Sequence, residues 1–155
     1  MEFWMIGKTA ASYLQEGVAD YEKRLRRYLP FGLHVLPDVK AKKNNGPAQR
    51  MAQEARAVLQ QLRERDTLIL LDEQGKSFSS EQFAAFVDRL QQSGGRRIIF
   101  LVAGAYGAHD ALRERADHRL SLSSMTFSHQ MIRLFFLEQL YRAMTILRNE
   151  PYHNA

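Results

Sequence analysis

Two short runs constrain this chain more than any other feature. Thr67–Leu71 and Ile98–Val102 are apolar at nearly every position and lack the alternation of a strand buried on one face. Strands written this way are covered on both sides. Between them, Ser79 with Gln82 three residues later makes a capping box. Phe83, Phe86, Val87 and Leu90 follow at helical spacing, and Gly94-Gly95 forms a stop. Two buried strands joined by a helix form a parallel crossover unit. The pattern therefore predicts an α/β fold around a mainly parallel sheet.

The other segments extend the same alternation. Phe3–Ile6 reads as a first strand. Leu14, Val18, Tyr21, Leu25 and Tyr28 make a helix stripe that Pro30 ends, and Leu33–Leu36 is a short strand. Asp38–Gly46 reads as a polar, basic loop, and Pro47 suits the first turn of a helix with Met51, Ala55, Val58, Leu59 and Leu62 inward. A short helix near Asp110–Ala116, a strand around Leu120–Leu122 and a long helix from about Gln130 to Arg148 complete the chain. With 155 residues and no internal repeat, a single domain over 1–155 is expected. Ligands of such sheets sit at the carboxyl ends of strands, here after Leu71, Val102 and Leu122.

Composition excludes several classes. The 45% hydrophobic content is too high for disorder. There is no cysteine, which rules out disulfides, thiolate zinc sites and iron–sulfur clusters, and fits a reducing compartment. Met1–Ile6 is too short for a signal-peptide core. Met131–Leu147 is broken by Arg133, Glu138, Gln139 and Arg142, too polar to span a bilayer. The expectation is a cytoplasmic protein with no membrane and no metal partner. A net charge of +5 and a pI near 9.7 suit an acidic partner such as nucleic acid. Lys40, Lys42 and Lys43, and the run Lys23, Arg24, Arg26 and Arg27, are either phosphate contacts or solvated surface.

Gly75-Lys76-Ser77 after a buried strand suggests a P-loop, but the motif needs glycine where Leu70 stands. A strand-to-helix turn capped by Ser79 is the better reading. Gly104-Ala105-Tyr106-Gly107 lacks a dinucleotide fingerprint. Its small residues either admit a ligand to the backbone or serve a turn needing positive φ. The serines and threonine in Leu120–Arg133 sit among apolar residues before an apolar helix. They offer amides and hydroxyls to a nucleoside-bearing ligand, or cap the helix, for which Ser128 is suited. That helix is apolar nearly all round, more than one sheet can cover. A homodimer interface is favoured over a wholly buried helix.

These residues carry a resemblance. Ser124–Arg133, then Glu138-Gln-Leu-Tyr-Arg-Ala143 and Pro151-Tyr-His153, together with Gly7-Lys8, Tyr21-Glu-Lys-Arg-Leu25 and Leu71-Asp-Glu-Gln-Gly-Lys-Ser77, resemble the ribosomal RNA large subunit methyltransferase H family. That family is a minimal member of the SPOUT class, and the likeness covers the whole chain. It implies a homodimeric SPOUT-type α/β fold whose C-terminal part, approximately residues 98–150, is a deep trefoil knot. It implies S-adenosyl-L-methionine as cofactor. The implied reaction is methylation of N3 of a pseudouridine in 23S ribosomal RNA of the assembled ribosome. A SPOUT enzyme acting on transfer RNA, or a ribosome-associated RNA-binding factor without catalysis, are the alternatives.

Carried over residue by residue, the cofactor contacts fall on Leu71, Ala103, Gly104 and Gly107, and on Leu122, Ser123, Ser124, Met125, Thr126 and Phe127. The family has a glycine pair where this chain has Ala103-Gly104, and proline where it has Ser128. Removing the N3 proton calls for a base with a pKa near neutral, for which histidine is suited. His129 and His153 lie in the matched segments, whereas His34, His109 and His118 carry no motif. His153, with Tyr152, is expected in substrate positioning or base work. His129 is expected in catalysis or in shaping the loop, and Arg133 in holding phosphate or an acid. Arg142 is expected to be structural.

Overall fold

The computed structural model describes residues 1–38 and 46–153. The basic loop residues Lys40, Lys42 and Lys43 lie outside the described residues. Ten elements alternate: β1 (Glu2–Ile6), α1 (Ser12–Leu25), β2 (Gly32–Leu36), α2 (Pro47–Leu59), β3 (Thr67–Ser77), α3 (Ser80–Gln92), β4 (Ile98–Val102), α4 (Asp110–Arg115), β5 (His118–Ser121) and α5 (Met131–Leu147). The sheet order is β2-β1-β4-β3-β5, and every pairing is parallel.

Helices cover both faces, which is why the strands read as unbroken apolar runs. Phe3, Met5, Ile69, Phe100 and Val102 face α1, α3 and α5, whereas Trp4, Ile6, Leu68, Leu70, Ile99 and Leu101 face α2 and α4. Phe136 of α5 joins the two layers, its ring 4.6 Å from Phe3 and 4.8 Å from Phe100. Truncating it would cost about 3–5 kcal/mol by cavity formation.

Three segments depart from expectation. β3 does not end at Leu71. It runs to Ser77 with a bulge between Leu71 and Lys76, so the expected turn at Gly75-Lys76-Ser77 is strand. A Cβ on Gly75 would lie 2.6 Å from the backbone of Arg119 and Leu120, so this glycine permits the close return of β3 onto β5. β5 begins two residues early. Asp117 accepts the Leu68 amide at 2.8 Å, and its own amide donates to the Leu68 carbonyl at 2.9 Å, which fixes the register. Finally, α5 packs against α1, α3 and the sheet together. Its apolar circumference is thus largely covered within one chain, leaving Phe135 41% exposed.

The capping box stands as read: Ser79 Oγ accepts the Gln82 amide, and Gln82 Oε1 accepts the Ser79 amide. Ser128 Oγ likewise accepts the Met131 amide at 3.2 Å, one turn ahead of α5.

Candidate active site

β3 from Leu71 to Glu73, together with the connections that leave β4 and β5, encloses a cavity of about 310 Å³. Its wall includes Leu71, Ala103, Gly104, Gly107, Leu122, Ser123, Met125, Thr126 and Phe127. Of the expected cofactor residues only Ser124 is not part of it. His129 and Ile132 close the side toward α5. Three stretches far apart in sequence thus meet at the carboxyl edge of the sheet, where parallel strands converge on ligands.

The two glycines of the Gly104–Gly107 turn answer to different demands. Gly107 adopts φ +84°, and its amide donates to the Gly104 carbonyl at 3.1 Å. A side chain would be strained there. Gly104 has no positive φ. A Cβ on it would sit 2.6 Å from Oε2 and 2.7 Å from Oε1 of Glu54, a buried residue of α2. The missing side chain therefore makes room for a carboxylate behind the turn. Burial and the neighbouring Asp38 raise the Glu54 pKa, while the Gly104 amide, hydrogen-bonded to it, and Arg50 oppose the rise. The Ala103 side chain belongs to the apolar cluster on the α2/α4 face, so the extra methyl has core neighbours.

The loop from Leu122 is shaped by its own hydroxyls. Ser121 Oγ donates to the Ser123 carbonyl and Ser123 Oγ accepts the Met125 amide, both at 2.9 Å. Such local bonds fold the loop back on itself.

Among the wall residues that sequence reasoning missed are Asp72 and Arg113, an ion pair. The Asp72 side chain is only 3% exposed, and Arg113 Nε donates to it at 2.9 Å. An acidic residue directly after a doubly buried strand was the available signal. Glu54 was missed as well. Its signal was a carboxylate inside the inward stripe of Met51, Ala55 and Val58.

Beside the cavity, Arg133 is fully buried. Its donors go to the Ile6 carbonyl at 2.7 Å, the Gly7 carbonyl and Thr9 Oγ1 at 3.0 Å each, and the His129 carbonyl at 3.1 Å. The expected phosphate contact is therefore corrected. Arg133 is not part of the cavity wall, and its guanidinium ties α5 to the end of β1. Burial lowers its pKa, with only Asp38 acting against this.

His129 stands in the wall with its pKa lowered, first by burial and then by Arg133. Gln130 fixes its tautomer. The Gln130 oxygen accepts the Ala10 amide at 2.9 Å and its nitrogen donates to the Lys8 carbonyl at 3.3 Å. That nitrogen therefore also donates to His129 Nε2, 3.1 Å away. The neutral ring then carries its proton on Nδ1.

Tyr152 and His153 are not at this cavity. His153 Nε2 donates to Glu81 at 2.8 Å, and its Nδ1 lies 3.4 Å from the Arg142 guanidinium. Arg142 in turn pairs with Glu138 at 2.6 Å, and the Tyr152 hydroxyl reaches Glu138 at 3.1 Å and Tyr21 at 3.2 Å. Hydrogen bonds from Ser79 and then His153 pull the Glu81 pKa down to about 2, and burial raises that of Tyr152. From Ile132 at the cavity to Arg142, the helical rise is about 15 Å. Arg142 pairs within α5, with Glu138 four residues before it.

Residues 1–153 match the family model described as "Predicted SPOUT methyltransferase". The chain is 48% identical over 150 residues to the Ribosomal RNA large subunit methyltransferase H of Parabacteroides distasonis, covering 97% of this chain and 96% of that one. It is 46% identical over 149 residues to the protein of the same name from Christiangramia forsetii, covering 96% and 95%. For the one from Cytophaga hutchinsonii the identity is 45% over 154 residues, 99% of each chain.

Proposed function

This chain belongs to the SPOUT methyltransferase family, and from that premise we propose that it methylates ribosomal RNA of the large subunit at N3 of a pseudouridine. The observation that carries the reading is the convergence of Leu71, the Gly104–Gly107 turn and the Leu122–Phe127 loop on one cavity. S-adenosyl-L-methionine is the cofactor. The cavity volume falls at the lower end of the range for small-molecule sites, and its wall mixes apolar side chains with backbone amides and the hydroxyls of Ser123 and Thr126. These groups suit a nucleoside with an amino-acid tail.

When bound, the cofactor supplies an electrophilic methyl group. The chain's own contribution is alignment of donor and acceptor, which is where most of the rate gain in a displacement of this kind lies. His129, neutral and protonated on Nδ1, serves as a hydrogen-bond donor at the cavity wall. Its Nε2 is engaged by Gln130, so the N3 proton falls to another base. His153 serves in substrate positioning or base work, and as base it must first give up its contacts with Glu81 and Arg142. In one chain it lies at the far end of the contact between α5 and α3, so it reaches a cavity only across a homodimer. The exposed apolar side chains Phe135, Phe127 and Tyr13 supply the dimer face.

The knot belongs to the same reading. The connection from edge strand β5 to α5 crosses the carboxyl ends of β3 and β4 to reach the loop after β1, where Gln130 and Arg133 are anchored. It passes the β4–α4 connection on the way, and threading through it closes a trefoil.

Calorimetry with S-adenosylmethionine tests the cofactor; no heat at millimolar concentration sinks the enzyme reading. Mass mapping of 23S RNA from cells lacking the gene tests the target. The N3-methyl mark is expected to vanish, and its survival would exclude this substrate.

A further inference from the structure

We propose that Tyr106 is the platform on which the target base stacks at the mouth of the cavity, with Arg50 behind the ring pairing an adjoining phosphate. The proposal rests on the RNA-methyltransferase reading and deepens it. Tyr106 stands between the glycines of the Gly104–Gly107 turn, in the cavity wall, with 48% of its surface exposed. The turn thus presents an aromatic face at the rim of the cavity.

Arg50 of α2 orients it. The guanidinium carbon lies 5.6 Å from the ring centroid, and Nη1 donates to the Tyr106 hydroxyl at 3.4 Å. One face of the ring is thus held by a cation, as in other arginine–aromatic contacts. Tyr106 makes no ring–ring contact among the described residues. The competing aromatic at the rim, Phe127, is already packed on Phe135 with centroids 4.7 Å apart. Met125, 73% exposed, has no π face to offer.

The chemistry calls for such a ring. A base that is modified within RNA must leave its stack, and proteins replace the lost stacking with aromatic side chains. The cavity holds one small molecule, so with cofactor inside, the base lies at the mouth, where Tyr106 is. Arg50 also has a donor to spare. Its Nε is buried and has no hydrogen-bond partner among the described residues, an unfavourable state. A modest swing of the guanidinium onto a phosphate would relieve it, with the fork geometry that arginine brings to phosphate.

The test uses the full-length chain and the variants Tyr106→Ala, Tyr106→Phe and Arg50→Gln. Three quantities are read: binding of a short oligouridylate, KM and kcat on ribosomes, and affinity for S-adenosylmethionine. Tyr106→Ala is expected to weaken oligouridylate binding about tenfold and to raise KM, a larger loss than any in cofactor affinity. Tyr106→Phe keeps the ring and stays within about threefold of wild type. Arg50→Gln weakens RNA binding and makes its salt dependence shallower, as loss of one phosphate contact requires. Unaltered oligouridylate binding by Tyr106→Ala would overturn the proposal, as would a Phe variant as weak as the Ala variant. A wild-type chain that transfers no methyl group but binds oligouridylate through Tyr106 would sink the functional reading and leave this one standing.

Discussion

The two ends of α5 carry the same residue types and do different work. At the cavity end His129 and Arg133 are sheltered, the arginine completely. Its partners are the carbonyls of Ile6, Gly7 and His129 and the Thr9 hydroxyl. At the far end Arg142 and His153 sit in a chain of side-chain contacts running through Glu138, Tyr152 and Glu81. A guanidinium bonded to carbonyls cannot be released without stranding several buried acceptors, so it fixes architecture. One paired with the single carboxylate of Glu138 and lying over the Tyr152 ring strands no backbone carbonyls when it moves, so its contacts are the more easily exchanged.

The sharpest break of this contrast is Arg133→Leu. It leaves the carbonyls of Ile6, Gly7 and His129 without their donor in a buried site, at a cost of about 3–5 kcal/mol. Chemical denaturation reads it, and a loss below about 1 kcal/mol would mean that the two ends are alike. Next comes Gly104→Ala, whose methyl would meet the Glu54 carboxylate. Crowding of this kind costs about 1–3 kcal/mol, and calorimetry should show weaker cofactor binding. Adding Glu54→Ala removes the obstacle and should restore part of the affinity; a double variant no better than the single one would place the fault elsewhere.

At the far end, Glu138→Gln weakens the pairing with Arg142 in a partly exposed setting, and about 0.5–1 kcal/mol is expected. Its melting temperature checks the value. The smallest effect is a pH slope. Burial holds the His129 pKa below the ordinary histidine value of about 6.5 in the folded chain. The unfolded chain therefore takes up the proton first, so this contribution is complete above about pH 6.5 and is lost as pH falls through the folded value. His129→Asn should flatten the acid limb of a stability–pH curve. An unchanged limb would assign the slope to other groups.

Much of this was legible in the chain. The doubly buried strands, the Ser79–Gln82 box and the Ser128 cap depend on neighbours a few residues away, and their patterns survive in the linear sequence. The continuation of β3 past Leu71 was not legible. The segment Asp72–Ser77 is polar, and only the approach of β5 to Gly75 makes it strand. Similarly, the apolar circumference of α5 pointed to a partner subunit, whereas α1 and α3 cover most of it. Periodicity shows how much of a helix must be buried, not which neighbour buries it.

The site divides along the same line. Residue types and their spacing pointed by themselves to the segments after Leu71, Val102 and Leu122, because strands covered on both faces leave only their carboxyl ends open, and those segments line one cavity. Tertiary structure alone decided the rest. It set Glu54 behind Gly104, Arg113 on Asp72, Gln130 on His129, and Tyr152-His153 about 15 Å along α5 from the cavity. Each of these joins residues on different elements or fixes a geometry, and no local pattern encodes where a distant carboxylate or amide arrives.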